Sequence, residues 1–564
     1  MDAADILALC KRRGFIWPAY EIYGGVAGMY DYGPLGVTMK NNIIEIWRRA
    51  YTLGEGFIEI DGPTIGPEIV FKASGHVDAF SDSIVFCMKC KESFRADHLA
   101  KGLHENPDSL SNEELGQLLR EKGVKCPECG GELSDVEDFN LMFKTTIGPG
   151  SGRPGFLRPE TAQGIFVDYL HLYRFAREKL PFGAIQIGRG YRNEISPRQG
   201  VIRLREFNMM EAELFVDPEN KTWPRFEKIK DKKMKLVPND GSEVEISVGE
   251  AVEKGMIGNA TLAYFMYFTQ EFLKAVGIDP ERLRFRQHLR TEMAHYASDC
   301  WDAEVLLSYG WTEVVGIADR GCWDLSRHIE YSNADLTAFM KYDEPIEVER
   351  EVLKPKYELL GPKFKGKSSK IGKLLEQLDP SNIKDRKVTV VVDGEKITID
   401  DSFFEIARVK EKITGKKVVP HVIEPSHGLD RIFYACLEHA YSEKSDGYVV
   451  LRLKPAIAPI KVGVFPLMAK DGLDIRAMHI DERLRQCGIS SYYDDSGSIG
   501  RRYARMDEIG TPLCITVDYQ TLSDGTVTIR DRDTAEQIRV HEDRIIDMVN
   551  LLLQGTPFSE LKMR

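Results

Sequence analysis

The chain runs to 564 residues, 43% of them hydrophobic and 29% charged, with a formal net charge of −12. That length exceeds what one hydrophobic core can organise, so about two to four domains are expected, and the acidic balance excludes a generic nucleic-acid sponge, leaving only local contacts to any nucleic acid. No run of about 18 apolar residues offers a transmembrane helix, and Met1-Asp-Ala-Ala-Asp5 lacks the basic region and apolar core of a secretory signal.

Residues 3–13 have the spacing of a short amphipathic helix. Ile16 to Gly36 is dense in Tyr and Gly. Pro34 suits the first turn of a helix, where a missing N–H loses no bond, and Leu35 to Tyr51 continue it. A strand from Gly56 to Asp61 then ends at Gly62-Pro63. Residues 72–150 read as an insertion. It carries Cys87-Met-Lys-Cys90 and Cys126-Pro-Glu-Cys129-Gly-Gly, with a helix expected between them near Asn112 to Lys122. Four thiolates on two such turns can enclose a tetrahedral zinc with no open position. Cys87, Cys90, Cys126 and Cys129 are therefore candidate ligands of a structural zinc, with unligated thiols the alternative. The six remaining cysteines are scattered singly, which in an intracellular chain points to free thiols rather than disulfides.

Leu157-Arg-Pro-Glu-Thr-Ala-Gln-Gly164 leads into a helix with Glu160 at its start, where a carboxylate favours the helix dipole. Gln186 to Phe215 then reads as one long β-hairpin. Its first arm spans about Ile185 to Glu194 and its second about Arg203 to Phe215, joined by a polar loop holding Pro197 and Gly200. A strand has a period of two, so Arg192 and Glu194 share a face. On the second arm Arg203, Arg205, Phe207, Met209, Glu211 and Glu213 share one if no bulge intervenes. One reading is a solvated face laced with Arg–Glu pairs. The other is a nucleotide platform, in which Arg192 clamps a phosphate through two N–H groups, Phe207 stacks under a purine and Glu211 takes a cation.

Beyond the hairpin, Arg225 to Lys235 is expected as a solvated Lys-rich helix. Ser308 to Arg320 reads as a core strand carrying one acid, Glu313, between apolar pairs. Such an acid needs a partner, either a phosphate-bound magnesium or an Arg such as Arg320. Residues 351–415 look like a second inserted module, basic then helical from Leu360 to Leu378, with a hairpin turning at Asp393-Gly394. From Lys417 a strand enters a helix through Glu424-Pro-Ser-His-Gly428. There Ser426 is a natural N-cap, Gly428 lets a ligand approach the backbone, and Arg431 points back toward the helix start. Pro455 to Pro459 reads as a linker. Residues 460–564 alternate strands with helices at Ile475–Cys487, Gly500–Ile509 and Glu542–Leu553, a mixed α/β domain in which Arg501, Arg502 and Arg505 are the best candidates for phosphate contact.

These stretches resemble the class II aminoacyl-tRNA synthetases. The helix, strand and Pro over 33–63 are similar to motif 1, Arg192-Asn-Glu194 with Arg205-Glu-Phe207 (186–215) to motif 2, and 417–441 to motif 3. Arg192-Asn-Glu-Ile-Ser-Pro-Arg198 followed by Arg205-Glu-Phe-Asn-Met-Met-Glu211, the phrase Phe94-Arg95-Ala-Asp-His98 and the stretch Arg284 to Trp301 are similar to the glycyl-tRNA synthetases of archaeal and eukaryotic type. The resemblance covers nearly the whole chain apart from parts of the two insertions. It implies an α+β fold. An antiparallel sheet flanked by helices spans 1–454, with insertions at 72–150 and 351–415, and a mixed α/β anticodon-binding domain follows at 455–564.

It further implies a cytoplasmic homodimer that activates glycine with ATP and magnesium to glycyl-adenylate and passes the glycyl group to the 3′ end of tRNA(Gly). By the same resemblance Arg192 holds the α-phosphate and Arg431 the γ-phosphate, as the catalytic pair, and Phe207 with Glu194 holds the adenine. Asn193, Ile202, Arg203, Leu204, Arg205, Glu206, Glu313, Val314 and Gly428 complete the ATP site, with Glu313 toward the magnesium. Glycine falls to Arg95, Glu160, Glu211, Glu424 and Ser426. An acidic, cramped pocket suits an amino acid whose only handles are its ammonium and carboxylate. No editing domain is apparent, and a full pocket excludes larger side chains without one. The second insertion and the Lys-rich stretch are candidates for tRNA contact. Two rivals share these motifs. A sister class II synthetase should lack the paired Glu160 and Glu211, and a non-catalytic accessory protein should have lost Arg192 or Arg431.

Overall fold

In the computed structural model, the described residues are 3–104, 106–150, 152–197, 200–290, 293, 297–380, 383, 385–444 and 447–561. Among them, nine strands form one sheet: β1 (Ile58–Ile60), β2 (Phe182–Tyr191), β3 (Glu206–Val216), β4 (Lys233–Val237), β5 (Val244–Ser247), β6 (Leu283–Gln287), β7 (Asp299–Leu307), β8 (Gly310–Gly321) and β9 (His421–Gly428). They lie in the order β5-β4-β6-β7-β8-β9-β3-β2-β1. Neighbours run antiparallel except for β1 beside β2 and β4 beside β6. The fold is α+β, as expected from the sequence.

The alternation along β3 explains why this sheet has a dry face and a chemical face. Met210, Ala212, Leu214 and Val216 project to one side. There they meet three helices, α1 (Pro34–Arg49), α3 (Ala260–Ala275) and α4 (Leu429–Ala440), with the short α2 (Ala162–Val167) elsewhere. Trp47, Tyr51, Phe265 and Phe433 fill the space between, each fully buried and each contributing about 1.5–3 kcal/mol of burial. Pro34 opens α1 at its first turn, and Asn259 caps α3 by accepting the Leu262 N–H at 2.9 Å. Phe207, Met209, Glu211 and Glu213 project to the other side of β3.

The hairpin differs from expectation at its open end. Its strands stop at Tyr191 and begin again at Glu206, so Arg192, Glu194, Arg203 and Arg205 lie in the loop rather than on the ladder. Arg198 and Gln199 of that loop lie outside the described residues, as do residues 291–292 and 294–296 of the stretch Arg284 to Trp301. The helix expected over Arg225 to Lys235 is only one turn, Phe226–Lys228. From Lys233 the chain is strand β4, because Met234 and Leu236 alternate into the core, and that period of two prevails over the lysine-rich surface. The expected linker at Pro455 to Pro459 is packed. Ile457 and Ala458 are fully buried, and their carbonyls accept from Asn42 Nδ2 of α1.

Residues 462–541 build a second sheet of β10 (Val462–Pro466), β11 (Ser491–Tyr493), β12 (Leu513–Val517), β13 (Thr526–Asp531) and β14 (Gln537–His541), in the order β11-β10-β12-β13-β14. Helices Leu473–Gln486, Ile499–Glu508 and Ile545–Leu553 accompany it. Arg502 is corrected as a phosphate candidate. It is buried, and its guanidinium donates to the backbone carbonyls of Pro466, Asp495 and Gly497, which ties a loop shut. Arg505 pairs with Asp494 at 2.6 Å, and of the three only Arg501 is exposed.

Residues 337–418 form a compact unit of their own, longer at its N-terminal side than the insertion expected at 351–415. A two-stranded ribbon, Ala338–Pro355 against Phe404–Val418, leads to a small core that includes Leu360, Ile371, Val390 and Phe403. The expected hairpin turns at Asp393 and Gly394, both with positive φ, as a tight two-residue turn requires.

Candidate active site

The loop of the hairpin, the start of β8 and the start of α4 border a cleft. It is lined by Arg192, Glu194, Ile202, Arg203, Leu204, Phe207, Glu313, Val314, Ser426, Gly428 and Arg431. The register explains the floor. Gly190 pairs with Phe207 across the hairpin, and a Cβ at Gly190 would come within 2.6 Å of the Phe207 ring. Glycine thus makes room for the ring. The Arg192 guanidinium lies 5.4 Å from the Phe207 centroid and 5.2 Å from that of Phe80, held between two aromatic faces. Its Nε donates to the Pro159 carbonyl at 3.4 Å, and among the described residues no carboxylate pairs with it, so its Nη groups are available to an anion.

Arg431 is held differently. Its Nη1 donates to the Glu313 carboxylate at 3.0 Å and to the Glu313 carbonyl at 2.9 Å, and its Nε donates to the Ile202 carbonyl at 3.1 Å. One side chain of α4 thereby joins the hairpin loop to β8. Glu313 faces the cleft half-exposed, and its protein partner is Arg431 rather than Arg320. Crowding raises its carboxyl, but Arg431 beside it prevails and holds it below the usual range. Gly428 has φ −79°, which any residue adopts, and a Cβ there would sit 3.4 Å from the Val314 carbonyl. Its reason to be glycine is the cleft it lines.

Several ATP-side residues of the expectation have structural partners. Arg205 donates to the carbonyls of Ala27 and Glu194 and anchors the loop to the N-terminal Tyr/Gly segment. Asn193 donates its N–H to the Leu141 carbonyl, and Glu206 pairs with Arg189. Asp430, next to Arg431, is a buried clamp. It accepts from the Asn208 N–H at 2.6 Å, from Asn208 Nδ2 at 2.9 Å and from the Tyr32 hydroxyl.

Beside the cleft lies a buried acidic pocket. Glu211 accepts from the Thr161 N–H (2.6 Å), the Thr161 hydroxyl (2.5 Å), the Ala162 N–H (2.9 Å) and the Ser426 hydroxyl (2.6 Å). Ser426 pairs directly opposite Glu211 on β9, so it is a strand residue and not the expected N-cap; Gly428 precedes the helix. Burial and Glu160 push the Glu211 carboxyl up, against these hydrogen bonds. In Glu160 burial is outweighed by His76 at 3.5 Å and by Arg320 and Gln163, which carry it well below the usual carboxylate range.

Sequence reasoning left out Arg320 as a pocket residue. It is fully buried and donates to Glu424 at 2.7 Å and to Asp324 through Nε and Nη2. Glu424 is nonetheless pushed up to about 7 by burial, with Glu211 and Glu160 opposing the pull of Arg320. Glu213 is buried in the same layer with neither oxygen hydrogen-bonded, and burial and Glu424 raise it further. The available signal was parity: Glu211, Glu213, Glu424 and Arg320 all point to one side of adjacent strands. Arg95 is engaged by carboxylates of the first insertion. It is held between Asp82 at 3.0 Å and Asp97 at 2.9 Å, next to Ser93, whose carbonyl accepts from Ser196 of the hairpin loop.

The four knuckle sulfurs lie within 4.8 Å of one another, with Cys87 and Cys129 3.4 Å apart and Cys90 and Cys126 3.6 Å apart. The N–H groups of Lys89 and Cys90 point at the Cys87 sulfur. A Cβ on Gly131 would meet the Cys87 sulfur at 2.9 Å. The donor set and its spacing fit a tetrahedral zinc, which holds sulfurs at about 2.3 Å.

Residues 151–440 match the family described as tRNA synthetase class II core domain (G, H, P, S and T), and residues 461–551 match the anticodon binding domain family. A glycine–tRNA ligase of Methanothrix thermoacetophila is 54% identical, over 99% of this chain and 98% of its own. The chain belongs to the glycine–tRNA ligase family. Further members similar to it are those of Methanocaldococcus jannaschii, 51% identical over 96% of this chain and 97% of its own, and of Archaeoglobus fulgidus, 51% identical over 100% and 99%. Among solved structures, the prolyl-tRNA synthetase of Giardia lamblia in complex with prolyl-adenylate aligns with TM-score 0.53 at 15% identity, over 99% of this chain and 81% of that one. At that identity the likeness concerns the fold alone, which the family shares.

Proposed function

We propose that the protein is a glycine–tRNA ligase, which joins glycine to ATP as glycyl-adenylate and then transfers the glycyl group to the 3′ end of tRNA(Gly). The observation that carries the reading is the adjacency of a polar cleft and a buried cluster of carboxylates. A cleft with one guanidinium that no carboxylate of the described residues pairs, an aromatic floor and a second guanidinium suits a triphosphate nucleotide, and it lies beside a buried cluster of carboxylates that suits a small ammonium. Ser426 lines the first and binds the acid of the second.

In this reading ATP enters as its magnesium complex. Its adenine lies on Phe207, its α-phosphate meets Arg192 and its γ-phosphate meets Arg431, which must exchange part of its contact with Glu313. Glu313 is thereby released toward the magnesium of the substrate. Glu160 and Glu211 hold the glycine ammonium, with Glu424, so that the glycine carboxylate reaches the α-phosphorus in line with the departing pyrophosphate. No protein nucleophile is needed; positioning and charge neutralisation carry the step. In the second step the terminal hydroxyl of tRNA attacks the glycyl carbonyl and AMP leaves.

The knuckle cysteines support a structural zinc with no part in the chemistry, which elemental analysis of the purified protein would detect as one equivalent. Exposed Ile22, Tyr23 and Leu53, which precede and follow α1 in the chain, support a homodimer. Among the described residues no helix is long and apolar enough to cross a membrane, and ten unbridged cysteines support a cytoplasmic setting. The test of the function is ATP–pyrophosphate exchange without tRNA across all twenty amino acids. Exchange with glycine alone is expected. Exchange driven by another amino acid would overturn the specificity while leaving the fold, and a folded, silent protein would point to a binding role.

A further inference from the structure

We propose that His288, Cys300 and Asp302 form a second metal site, suited to zinc or a similar borderline divalent cation, on the chemical face of the sheet beside the nucleotide cleft. The placement follows from the register. Gln287 pairs with Trp301, and the His288 N–H donates to the Cys300 carbonyl at 3.0 Å. Cys300 and Asp302, two residues apart on β7, share a face. Asp302 pairs in turn with Gly316 on β8, the strand that carries Glu313.

One ring nitrogen, one thiol sulfur and one carboxylate oxygen thus lie within 4.8 Å of one another. A tetrahedral zinc, with bonds of about 2.0–2.3 Å, holds such donors about 3.3–3.8 Å apart, within reach of small side-chain rotations. The decisive feature is the direction of the contact between His288 and Asp302. Nε2 stands 2.8 Å from Asp302 Oδ1, the length of a hydrogen bond. Neither ring nitrogen makes a well-directed hydrogen bond, and the Asp302 carboxylate raises the imidazole pKa. A cation seated between this nitrogen, this oxygen and the Cys300 sulfur would take the place of the proton that Asp302 favours on the ring.

The surroundings complete the argument. Arg286 Nη2 donates to the other carboxylate oxygen, Asp302 Oδ2, at 3.2 Å and fixes that group's orientation. The Arg286 charge would oppose a cation, but Glu304 at 3.1 Å and Asp302 at 3.2 Å both lie against it, and these two carboxylates together offset Arg286 and Arg284, which pairs with Glu304 at 2.8 Å. A nitrogen, sulfur and oxygen set with three protein ligands suits zinc and leaves a fourth position open, unlike the closed four-sulfur knuckle. On binding, the Cys300 thiol releases its proton to solvent and the thiolate becomes the ligand.

The test uses the full chain, first loaded with one equivalent of zinc to fill the knuckle site and then titrated with zinc by calorimetry. A second equivalent is expected to bind with a Kd of about 10 μM or tighter, releasing about one proton. Cys300→Ser and His288→Ala are each expected to weaken it at least about tenfold while the first equivalent and the melting temperature stay as they were. If either variant misfolds, the gentler His288→Gln takes its place. Cobalt as the second equivalent should show a charge-transfer band of single-thiolate intensity that is absent in Cys300→Ser. Absence of a second equivalent below about 100 μM zinc, or its retention in both variants, overturns the proposal and leaves a His–Asp pair that binds no metal.

Discussion

Glu211 shows how much one side chain on this sheet is asked to do. Its carboxylate gathers four donors from Thr161, Ala162 and Ser426, and so binds the start of α2 to β9 across β3. Glu211→Gln would put an NH₂ group among those donors and remove the charge that an ammonium needs. Losing a charged hydrogen bond of about 1.5–3 kcal/mol should lower kcat/KM for glycine in exchange about 10–150-fold, with the KM for ATP moving less than about twofold. Equal losses in both substrates would sink the assigned role. Glu424 leads to a pH prediction. Its carboxyl stands at about 7 in the fold, above its unfolded value of about 4.3, so the fold favours its neutral form. Stability from this group is therefore present below about pH 4.3 and lost as the pH rises through about 7. An ammonium placed nearby favours the ionised form instead. Glycine binding should then release protons near pH 7, and the KM for glycine should fall by up to about tenfold between pH 6 and 8. A KM that rises over that interval would contradict the placement of glycine beside Glu424.

At the scale of the element, α4 acts through its first turn. Arg431 reaches the nucleotide cleft, while its neighbour Asp430 fastens the helix to Asn208 on β3 and to Tyr32 of the N-terminal segment. Burial raises the Asp430 carboxyl against these donors, so the clamp is held in place by its hydrogen bonds. Asp430→Ala would take the acceptor from the half-buried Asn208 N–H and Tyr32 hydroxyl. At about 1–3 kcal/mol each when fully buried and less when half-buried, chemical denaturation should register a loss of about 2–4 kcal/mol, and Asp430→Asn, which keeps an acceptor, should recover part of it. No loss in the alanine variant would mean water replaces the carboxylate. This clamp was not legible in the sequence, because it joins residues 398 and 222 positions apart. What was legible was local and periodic: Pro34 at a helix start, the hairpin's alternation, the Asp393-Gly394 turn, the knuckles. Where two periods competed, as at Arg225 to Lys235, the surface lysines suggested a helix while two core residues made a strand. Ser426 had the composition of a cap, but a cross-strand partner kept the chain extended. Arg502 had the charge of a phosphate ligand, yet the end of β10 at Pro466 and the loop carbonyls of Asp495 and Gly497 take its donors, and no pattern of residues announces a loop folded back on a strand end.

For the whole molecule, the separate unit over 337–418 poses the question of what the chemistry requires. Amino-acid activation in the proposed reading uses only groups on the hairpin loop, β3, β8, β9, α4 and the segment around Glu160, none of them in that unit. The unit has its own core, and its two ends meet on one ribbon, where Ala338 pairs with Val418. Directly opposed residues of an antiparallel pair have Cα atoms about 4.5–5.5 Å apart, so a two-residue turn can bridge that gap without moving the chain on either side. Replacing residues 339–417 by an Asn-Gly turn is therefore expected to leave glycine-dependent ATP–pyrophosphate exchange within about threefold of the intact chain. The lysine-rich stretch from Lys363 to Lys373 faces a different demand, since a polyanion such as the tRNA acceptor arm is bound through local positive charge even by an acidic protein. The same excision should weaken tRNA charging much more than exchange, through a higher KM for tRNA, and the intact chain's KM for tRNA should climb steeply with salt where the shortened chain's does not. A folded, excised protein that has lost exchange would show that the unit supports the active site itself; one that still charges tRNA with unchanged KM would show that the unit serves neither step.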